Sequence, residues 1–413
     1  MNKLKKLLLS SFLLISLFFN SWSENFTHYV GGDISLLSVY EDAGAKYRDE
    51  NGEPISDLLQ YLYDAGMNSM RVRLFVNPDD FEGHDPNACQ SLPFILPLCK
   101  RIVDDGFDLM LDFHYSDTWA DPGAQWIPKQ WEGLNDDELV ETIYEYTKET
   151  LLTLKENGII PKFIQPGNEI SYGMLWSPYG APESEQKKTF INNPANWERL
   201  GRLLRSAISA CREVCPDASI VIHTERVADV EVQNNFYNKM KELDVDYEII
   251  GLSYYPYWHG NIDTLKKSLS SLEEKFPEKQ IMIVETGYSY KWAIGDNNVD
   301  YPLTEEGQNE FAQTLVETLL NYQNVTGLYW WWLEYNAYGT QLENWYNAPL
   351  FNSLTGKATP ALKTICKFRN ESGLEKFLCQ QDYDDLWYRI DGSLSRNYPG
   401  RGLFIHKGKV ILK

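Results

Sequence analysis

Two glutamates, each at the end of an apolar, strand-like run, are the residues of this chain whose types and positions could do chemistry. Glu169 ends the run that begins at Phe163, and Glu285 follows the run that begins at Ile281. Such runs are typical of parallel strands covered on both faces, and a carboxylate at the carboxyl end of such a strand faces the mouth of the sheet. Cleavage of a glycosidic bond needs a carboxylic acid to protonate the leaving oxygen and a carboxylate to attack or to activate water. The pair therefore predicts a sugar-polymer hydrolase.

The elements that would position these glutamates are eight apolar runs that alternate with amphipathic stretches. The runs are residues 29–35, 68–75, 108–115, 162–169, 219–224, 247–255, 280–286 and 325–332. The intervening amphipathic stretches, predicted as helices, are residues 56–65, 96–105, 136–157, 197–214, 262–276 and 305–322. This alternation predicts an α/β fold of the (β/α)8 TIM barrel type rather than a doubly wound sheet. No GxGxxG motif follows the first run, as a dinucleotide-binding fold would require.

The order of the runs brings the two carboxyl groups together. Strands four and seven of an eight-stranded barrel face each other across its mouth, so Glu169 and Glu285 can flank one sugar linkage. A separation of about 5 Å between the carboxyl groups would indicate retention through a covalent intermediate. Mutual repulsion should raise the pKa of one carboxyl group and make it the acid.

Other residues at the strand ends could assist the reaction. Asn168 and His114 could each hold a sugar hydroxyl. Arg73 could keep a nucleophilic carboxylate ionised through a charge-assisted bond, and Tyr255 could donate to the second glutamate. Trp331 ends the last run, where its indole could form the floor of the subsite that carries the broken bond.

Aromatic residues make up 14% of the chain, and many of the 13 tryptophans fall in the loops between the runs. Aromatic faces stack on the C–H faces of sugars, so this abundance fits an extended groove of subsites. Of the loop tryptophans, Trp119 is the one that we predict as a sugar ligand.

The two ends of the chain differ from the predicted barrel at residues 24–370. Residues 1–23 combine three lysines, an apolar run and a small-x-small cleavage site, as in a secretory signal peptide. That run is shorter than the roughly 20 residues that span a membrane, so we expect an exported protein, periplasmic, surface-bound or extracellular, without a span. Residues 371–413 contain short alternating runs punctuated by glycine, which predict a small C-terminal β appendage.

The net charge and the cysteine positions limit which ligands, disulfide bonds and metal sites the protein can have. A net charge of −21 repels nucleic acid, anionic membranes and polyuronates but tolerates a neutral polysaccharide. Cys89 could pair locally with Cys99, and Cys366 with Cys379, whereas Cys211 and Cys215 are four residues apart on a predicted helix, a poor geometry for a bridge. No cysteine and histidine spacing suggests zinc, and we expect a monomer that requires no cofactor.

Several sequence blocks resemble glycoside hydrolase family 53, the endo-β-1,4-galactanases of a clan of retaining barrel enzymes. The blocks are GGDIS at residues 31–35, residues 41–52 and 70–78, DFHYSDTWADPG at 112–123, QPGNEI at 165–170, GLSYYPYWHG at 251–260 and residues 345–362. The resemblance covers about residues 28–365. It implies an arabinogalactan endo-β-1,4-galactanase acting on the galactan side chains of pectin.

The resemblance also implies roles for individual residues. Glu169 would be the acid/base and Glu285 the nucleophile, and the residues expected to line the subsites are His114, Asp117, Trp119, Asn168 and Trp331. Bacterial relatives often bind calcium after the seventh strand, where this chain offers only Asp296 and Asp300, fewer oxygen ligands than a calcium site prefers. The tail after residue 389 is similar in composition to C-terminal sorting segments of secreted proteins.

Two other hypotheses stay open at this point. A mannanase or glucanase of the same clan would share the barrel and both glutamates, although the block at residues 112–123 favours the galactanases. A non-catalytic galactan-binding protein would keep the groove but not the chemistry, and the presence of both glutamates argues against it. Galactan digestion would separate these hypotheses.

Overall fold

Eight parallel strands close into a barrel in the computed structural model, which describes residues 27–83, 85–189, 193–293 and 300–370 and four short strands beyond them. The barrel strands are β1 Tyr29–Asp33, β2 Ser69–Leu74, β3 Asp108–Phe113, β4 Phe163–Pro166, β5 Ser219–Thr224, β6 Ile249–Tyr254, β7 Gln280–Thr286 and β8 Val325–Trp330. Each strand pairs in parallel with the next, and β8 pairs with β1. The predicted (β/α)8 barrel is therefore confirmed.

Ten α-helices are described. They are α1 Leu37–Asp42, α2 Leu58–Asp64, α3 Leu92–Asp104, α4 Asp136–Glu156, α5 Pro194–Val214, α6 Val230–Glu242, α7 Pro256–His259, α8 Ile262–Lys275, α9 Glu305–Leu319 and α10 Pro360–Asn370. Helix α6 was absent from the prediction because its first turn carries two β-branched valines, which favour strands. The side chain of Asp229 accepts from the backbone N–H of Val232 and caps this helix.

Two apolar layers stabilise the barrel. One fills the space between strands and helices, and the other fills the inside of the barrel. The inner layer consists of Met110, Phe163, Val221, Ile249, Met282, Val284 and Tyr329. Because side chains alternate along a strand, Met110 shares the inward face of β3 with Asp112, which lies nearer the carboxyl end. The inside of the barrel is therefore apolar toward the amino ends of the strands and charged toward their carboxyl ends, at the mouth.

Glycine at position 31 allows the first strand to approach the second. A Cβ atom on Gly31 would lie 1.6 Å from the backbone oxygen of Ser69, a distance that no side chain tolerates. Gly31 is paired with Ser69 in the β1–β2 register, so the contact belongs to the barrel wall itself. This close approach explains why the first strand carries a residue that is otherwise unfavourable inside strands.

The predicted C-terminal appendage is an antiparallel sheet. Its strands are β9 Trp387–Arg389, β10 Leu394–Ser395, β11 Leu403–His406 and β12 Lys409–Leu412, in the spatial order β10-β9-β11-β12. The predicted small β appendage is therefore confirmed. The predicted signal peptide at residues 1–23 lies outside the described residues, and no helix within the described ranges is long and apolar enough to cross a membrane.

The local pair that the sequence allowed between Cys89 and Cys99 is not formed, since both residues are free thiols. Cys99 is fully buried in the core face of α3, whereas Cys89 is partly exposed in the loop before that helix. Cys211 and Cys215 are also free, as their spacing predicted. The pairing suggested for Cys379 lies outside the described residues.

Candidate active site

A cavity of about 810 Å³ opens at the carboxyl end of the barrel strands, where the sequence placed the chemistry. Among the residues predicted for the site, those that line the cavity are Arg73, His114, Trp119, Asn168, Glu169, Tyr255, Glu285 and Trp331. Both glutamates thus share one cavity, as predicted. Asp117 is the predicted subsite residue that does not line it.

Glu169 lies three residues beyond the end of β4, in a turn rather than on the strand as predicted. Gly167 at φ +99° breaks the strand, and Glu169 itself adopts a left-handed conformation at φ +48°. The hydroxyl of Ser253, on β6, donates to Glu169 Oε1 at 2.5 Å. Burial, followed by the negative charges of Glu285 and Glu225, raises the pKa of Glu169 well above its ordinary value. The environment therefore favours a protonated carboxyl group.

Glu285 stands near the end of β7 in a different electrostatic setting. A guanidinium nitrogen of Arg71 lies 2.9 Å from Glu285 Oε1, and the phenol of Tyr255 donates to Oε2 at 3.2 Å. The hydrogen bond predicted for Tyr255 is therefore present. Burial raises the pKa of Glu285 too, but the Arg71 guanidinium opposes that rise. Of the two glutamates, Glu285 loses its proton first.

Arg71, and not Arg73 as the sequence analysis proposed, is the cation beside Glu285. Arg71 is fully buried, and its guanidinium also contacts Asp33 at 3.2 Å and Asp112 at 2.8 Å. These carboxylates compensate the buried charge, which would otherwise be too costly to hold in the barrel. Arg71 and Arg73 are two residues apart on β2, so both side chains lie on the inward face of the strand. The sequence pattern therefore placed both arginines inside the barrel but did not show which of them contacts Glu285.

Arg73 lies two residues after Arg71 on β2, nearer the mouth of the barrel, and its side chain lines the cavity. Its guanidinium carbon lies 4.7 Å from the ring centroid of Trp119 and 5.2 Å from that of Trp332. The two indoles are nearly parallel, at 11°, and the cation lies close to both rings. Asp33 lies 3.1 Å from Arg73 Nη1 and balances its charge. Arg73 therefore holds the aromatic wall and does not contact Glu285.

The side chains of Asn168 and His114 are oriented by protein groups. Asn168 Oδ1 accepts from Arg71 at 2.8 Å, and its Nδ2 donates to the Ala120 carbonyl at 2.8 Å. His114 Nδ1 accepts from the Ala120 N–H at 3.0 Å, and its Nε2 lies 3.0 Å from Asp112 Oδ2. Both ring nitrogens of His114 thus face protein atoms, so the hydroxyl contact proposed for it is not supported by this geometry.

Asp117 is a loop-stabilising residue in the structure. Its buried carboxylate accepts from the backbone N–H groups of Asn77 and Lys129, at 2.9 and 2.7 Å. It borders a separate small pocket. Asp117 therefore does not line the cavity of the two glutamates, and the subsite position implied for it stays a prediction.

Trp331 and Trp119 form an aromatic corner of the cavity. Their ring centroids are 6.3 Å apart and nearly perpendicular, and the peptide bond between Trp331 and Trp332 is cis. The Trp119 indole donates to Asp85 Oδ2 at 2.7 Å. Both rings line the cavity and retain partly exposed faces, as an aromatic sugar platform requires.

Three carboxyl groups that line the cavity, those of Asp85, Asp121 and Glu225, were not predicted. Glu225 follows β5 directly, so it carries the same signal as the other two glutamates, an acid after an apolar strand. Ser253, which holds Glu169, was also missed, because a serine within an apolar strand does not stand out. Both residues could have been found from their place at the carboxyl ends of β5 and β6.

The described residues do not test whether calcium binds in the loop after β7. Asp296 lies outside the described residues, and Asp300 is exposed at the edge of the same loop. Within the described ranges, no cluster of three or more histidine, cysteine or acidic side chains could hold a metal ion. That no cofactor is required and that the protein is a monomer stay predictions.

A buried acid and a cation-paired carboxylate in one barrel mouth are the arrangement that a glycoside hydrolase needs. The chain belongs to glycosyl hydrolase family 53, whose model matches residues 29–365.

Three relatives illustrate the likeness. The arabinogalactan endo-β-1,4-galactanase A of Aspergillus niger is 32% identical over 76% of this chain and 87% of its own length. The arabinogalactan endo-β-1,4-galactanase of Cellvibrio japonicus is 31% identical over 79% of this chain and 86% of its own. The structure of the family 53 catalytic domain of Ignisphaera aggregans is 32% identical, with a TM-score of 0.70, over 83% of this chain and 95% of that one. The chain is therefore a glycoside hydrolase.

Proposed function

We propose that this protein is an endo-acting hydrolase of β-1,4-galactan, the side chain of type I arabinogalactan, and that it retains anomeric configuration. The observation that carries the proposal is the contrast between two glutamates in one cavity. Glu169 is partly buried beside other acids that raise its pKa, whereas Glu285 is paired with Arg71, which opposes the rise. The activities for which the two galactanase relatives are named support galactan as the substrate.

In the first step, Glu285 attacks the anomeric carbon while Glu169 protonates the departing glycosidic oxygen. The C–O bond breaks, and a covalent glycosyl ester with Glu285 forms. Glu169, now ionised, then takes a proton from water as the water attacks the same carbon and releases Glu285. Arg71 and Tyr255 stabilise the Glu285 carboxylate before attack and after release.

The composition of the cavity suits an uncharged polymer. Its wall carries aromatic faces, and the protein as a whole has a net charge of −21. Stacking on aromatic rings stabilises the apolar faces of sugar rings without requiring a charged substrate. A neutral galactan chain is therefore favoured over a polyuronate.

We also propose that the protein is exported. Three lysines and an apolar run of signal-peptide length begin the sequence. A galactan polymer is too large to enter a cell intact, so its hydrolysis is an activity expected outside the cytoplasm. Detection of the enzyme in the culture medium or periplasm, cleaved after residue 23, would test this proposal.

The experiment that tests the function is digestion of galactan beside mannan, xylan and cellulose. We expect new reducing ends from galactan, with internal cleavage seen as a rapid fall in viscosity and retention seen by proton NMR of the first products. Glu285→Ala should lower the rate by roughly a thousandfold or more, because no nucleophile is left.

The matched control is Glu183→Gln, which changes an exposed acid outside the cavity and should act as the wild-type protein does. Cleavage of mannan or a glucan in preference to galactan would instead identify another enzyme of the same clan. Binding of galactan without turnover would identify a non-catalytic galactan-binding protein.

A further inference from the structure

Glu225 is a buried carboxyl group in the cavity to which the double displacement assigns no role. Its side chain is 8% exposed, and it lines the same cavity as Glu169. Its Oε1 accepts from the hydroxyl of Ser171 at 2.5 Å, whereas its buried Oε2 has no hydrogen-bond partner. A buried carboxyl group that is only half satisfied is costly to keep, and such groups occur where they serve a site.

Ser171 connects Glu225 to the turn that carries the acid. It belongs to the short 3-10 turn Ile170–Tyr172, which begins directly after Glu169. Glu169 is left-handed, a conformation that a residue with a side chain adopts only when its surroundings hold it there. The bond from Ser171 to Glu225 ties this turn to the end of β5. Glu225 therefore restrains the backbone on which Glu169 stands.

The charge of Glu225 acts on the same group. The titratable groups that face Glu169 are Glu285 from β7, Glu225 and neutral His223 from β5, Asp121 from the loop after β3, and Tyr255 after β6. The negative charge of each acid among them disfavours ionisation of Glu169.

The groups around Glu225 decide when it is charged. Burial raises the pKa of Glu225, but Ser171 and the guanidinium of Arg226, 3.6 Å from Oε1, favour its ionised form. Arg226 itself lies over the ring of Tyr172, 5.0 Å from its centroid, within the turn that follows Glu169. Burial outweighs these contacts, so the pKa of Glu225 lies above its ordinary value and its charge develops only as the pH rises.

We propose that Glu225 is a positioning residue for the acid. Through Ser171 it holds the turn that carries Glu169, and its negative charge keeps Glu169 in the proton-donating form. This role rests on the proposed function, in which Glu169 donates a proton to the leaving sugar. It adds a carboxyl group that acts on the reaction through Glu169 and does not touch the sugar.

Two variants separate charge from position. Glu225→Gln keeps an oxygen that accepts from Ser171 but removes the charge, whereas Ser171→Ala keeps the charge but removes the tie. For Glu225→Gln, we expect the alkaline limb of the kcat/KM pH profile on galactan to move about one unit toward lower pH, with KM unchanged. For Ser171→Ala, we expect the limb to stay in place and kcat to fall about tenfold on galactan.

A galactoside with a dinitrophenyl leaving group provides the second readout, since this leaving group departs without protonation. Ser171→Ala should lose less than about twofold in kcat/KM on this substrate, because kcat/KM reports the first step, in which this leaving group needs no acid. An alkaline limb that stays in place in Glu225→Gln, or equal losses on both substrates in Ser171→Ala, would overturn the proposal. Glu183→Gln again serves as the control for removal of a surface charge.

Titration of Glu169 by carbon NMR, in protein labelled at its glutamates, tests the charge effect without turnover. Assignment uses Glu169→Gln, in which one resonance is lost. We expect Glu225→Gln to lower the pKa of Glu169 by about one unit, and an unchanged pKa would refute the role. Because this measurement needs no substrate, it separates failure of the role of Glu225 from failure of the galactanase assignment.

Discussion

Replacement of Tyr255 by phenylalanine isolates one hydrogen bond to the proposed nucleophile. The phenol donates to Glu285 Oε2 at 3.2 Å, whereas the ring stands edge-on to Trp331 with centroids 6.4 Å apart. The substitution deletes the hydroxyl group and leaves the ring packing in place. Any change in activity therefore reports on the state of the Glu285 carboxylate rather than on the shape of the cavity.

The length of the bond sets the size of the effect. Hydrogen bonds to charged groups contribute about 1.5–3 kcal/mol, and this one exceeds the roughly 2.5–3.0 Å of an ordinary O–H···O bond, so the lower value applies. The bond favours the ionised form of Glu285. Its loss should raise the pKa of Glu285 by about one unit, since one unit corresponds to about 1.4 kcal/mol.

The assay is the pH dependence of kcat/KM on galactan. We expect the acid limb for Tyr255→Phe to move about one unit toward higher pH and the maximum to fall about tenfold, because the nucleophile must be ionised to attack. Tyr254→Phe is the matched control, since the hydroxyl of this neighbouring residue donates to the Gly260 carbonyl and it does not line the cavity. An unmoved acid limb, or a shift confined to the alkaline limb, would refute the assignment of Glu285 as nucleophile.

Two further predictions concern stability and substrate binding. Burial raises the pKa of Glu334 to about 8 from its ordinary 4.5, so the folded protein keeps a proton that the unfolded chain releases, and stability falls as the pH rises between these values. Glu334→Gln should therefore be roughly 3–5 kcal/mol more stable than wild-type protein at pH 8 but within about 1 kcal/mol of it at pH 5, as measured by urea unfolding; equal differences at both pH values would contradict this. Trp331→Ala should lower kcat/KM on galactan about 10- to 100-fold, because about 1.5–3 kcal/mol of aromatic burial against sugar is lost. Trp258→Ala, at a rim position that is 58% exposed, should lose less than about fivefold, and equal losses would exclude a special role for Trp331.

The alternation of apolar runs and helices was sufficient to predict the barrel. Hydrophobic periodicity is a local property, and eight buried runs separated by amphipathic stretches have few ways to pack other than a closed parallel sheet. The same local signal placed Glu169 and Glu285 at the mouth, since each acid lies at or just beyond the end of an apolar run. The family blocks were equally readable, because they are contiguous in sequence.

How deep each side chain lies in the barrel and which groups it contacts were decided only by the tertiary structure. Arg71 and Arg73 alternate on one face of β2, and which of them reaches Glu285 depends on carboxylates from β1, β3 and β7. Asp117 and His114 are likewise engaged by groups from loops and neighbouring strands, and a local sequence pattern does not show these contacts.

The sequence by itself was thus sufficient to predict the fold, the family and the two acids, because each of these is indicated by a pattern of residues that are close together in the chain. The electrostatic contrast between those acids belongs to the tertiary structure. Desolvation by the whole barrel, the counter-charge of Arg71 and the neighbouring charge of Glu225 together determine which carboxyl group keeps its proton. These contributions come from strands far apart in sequence, and a local pattern contains no information about the distances between them.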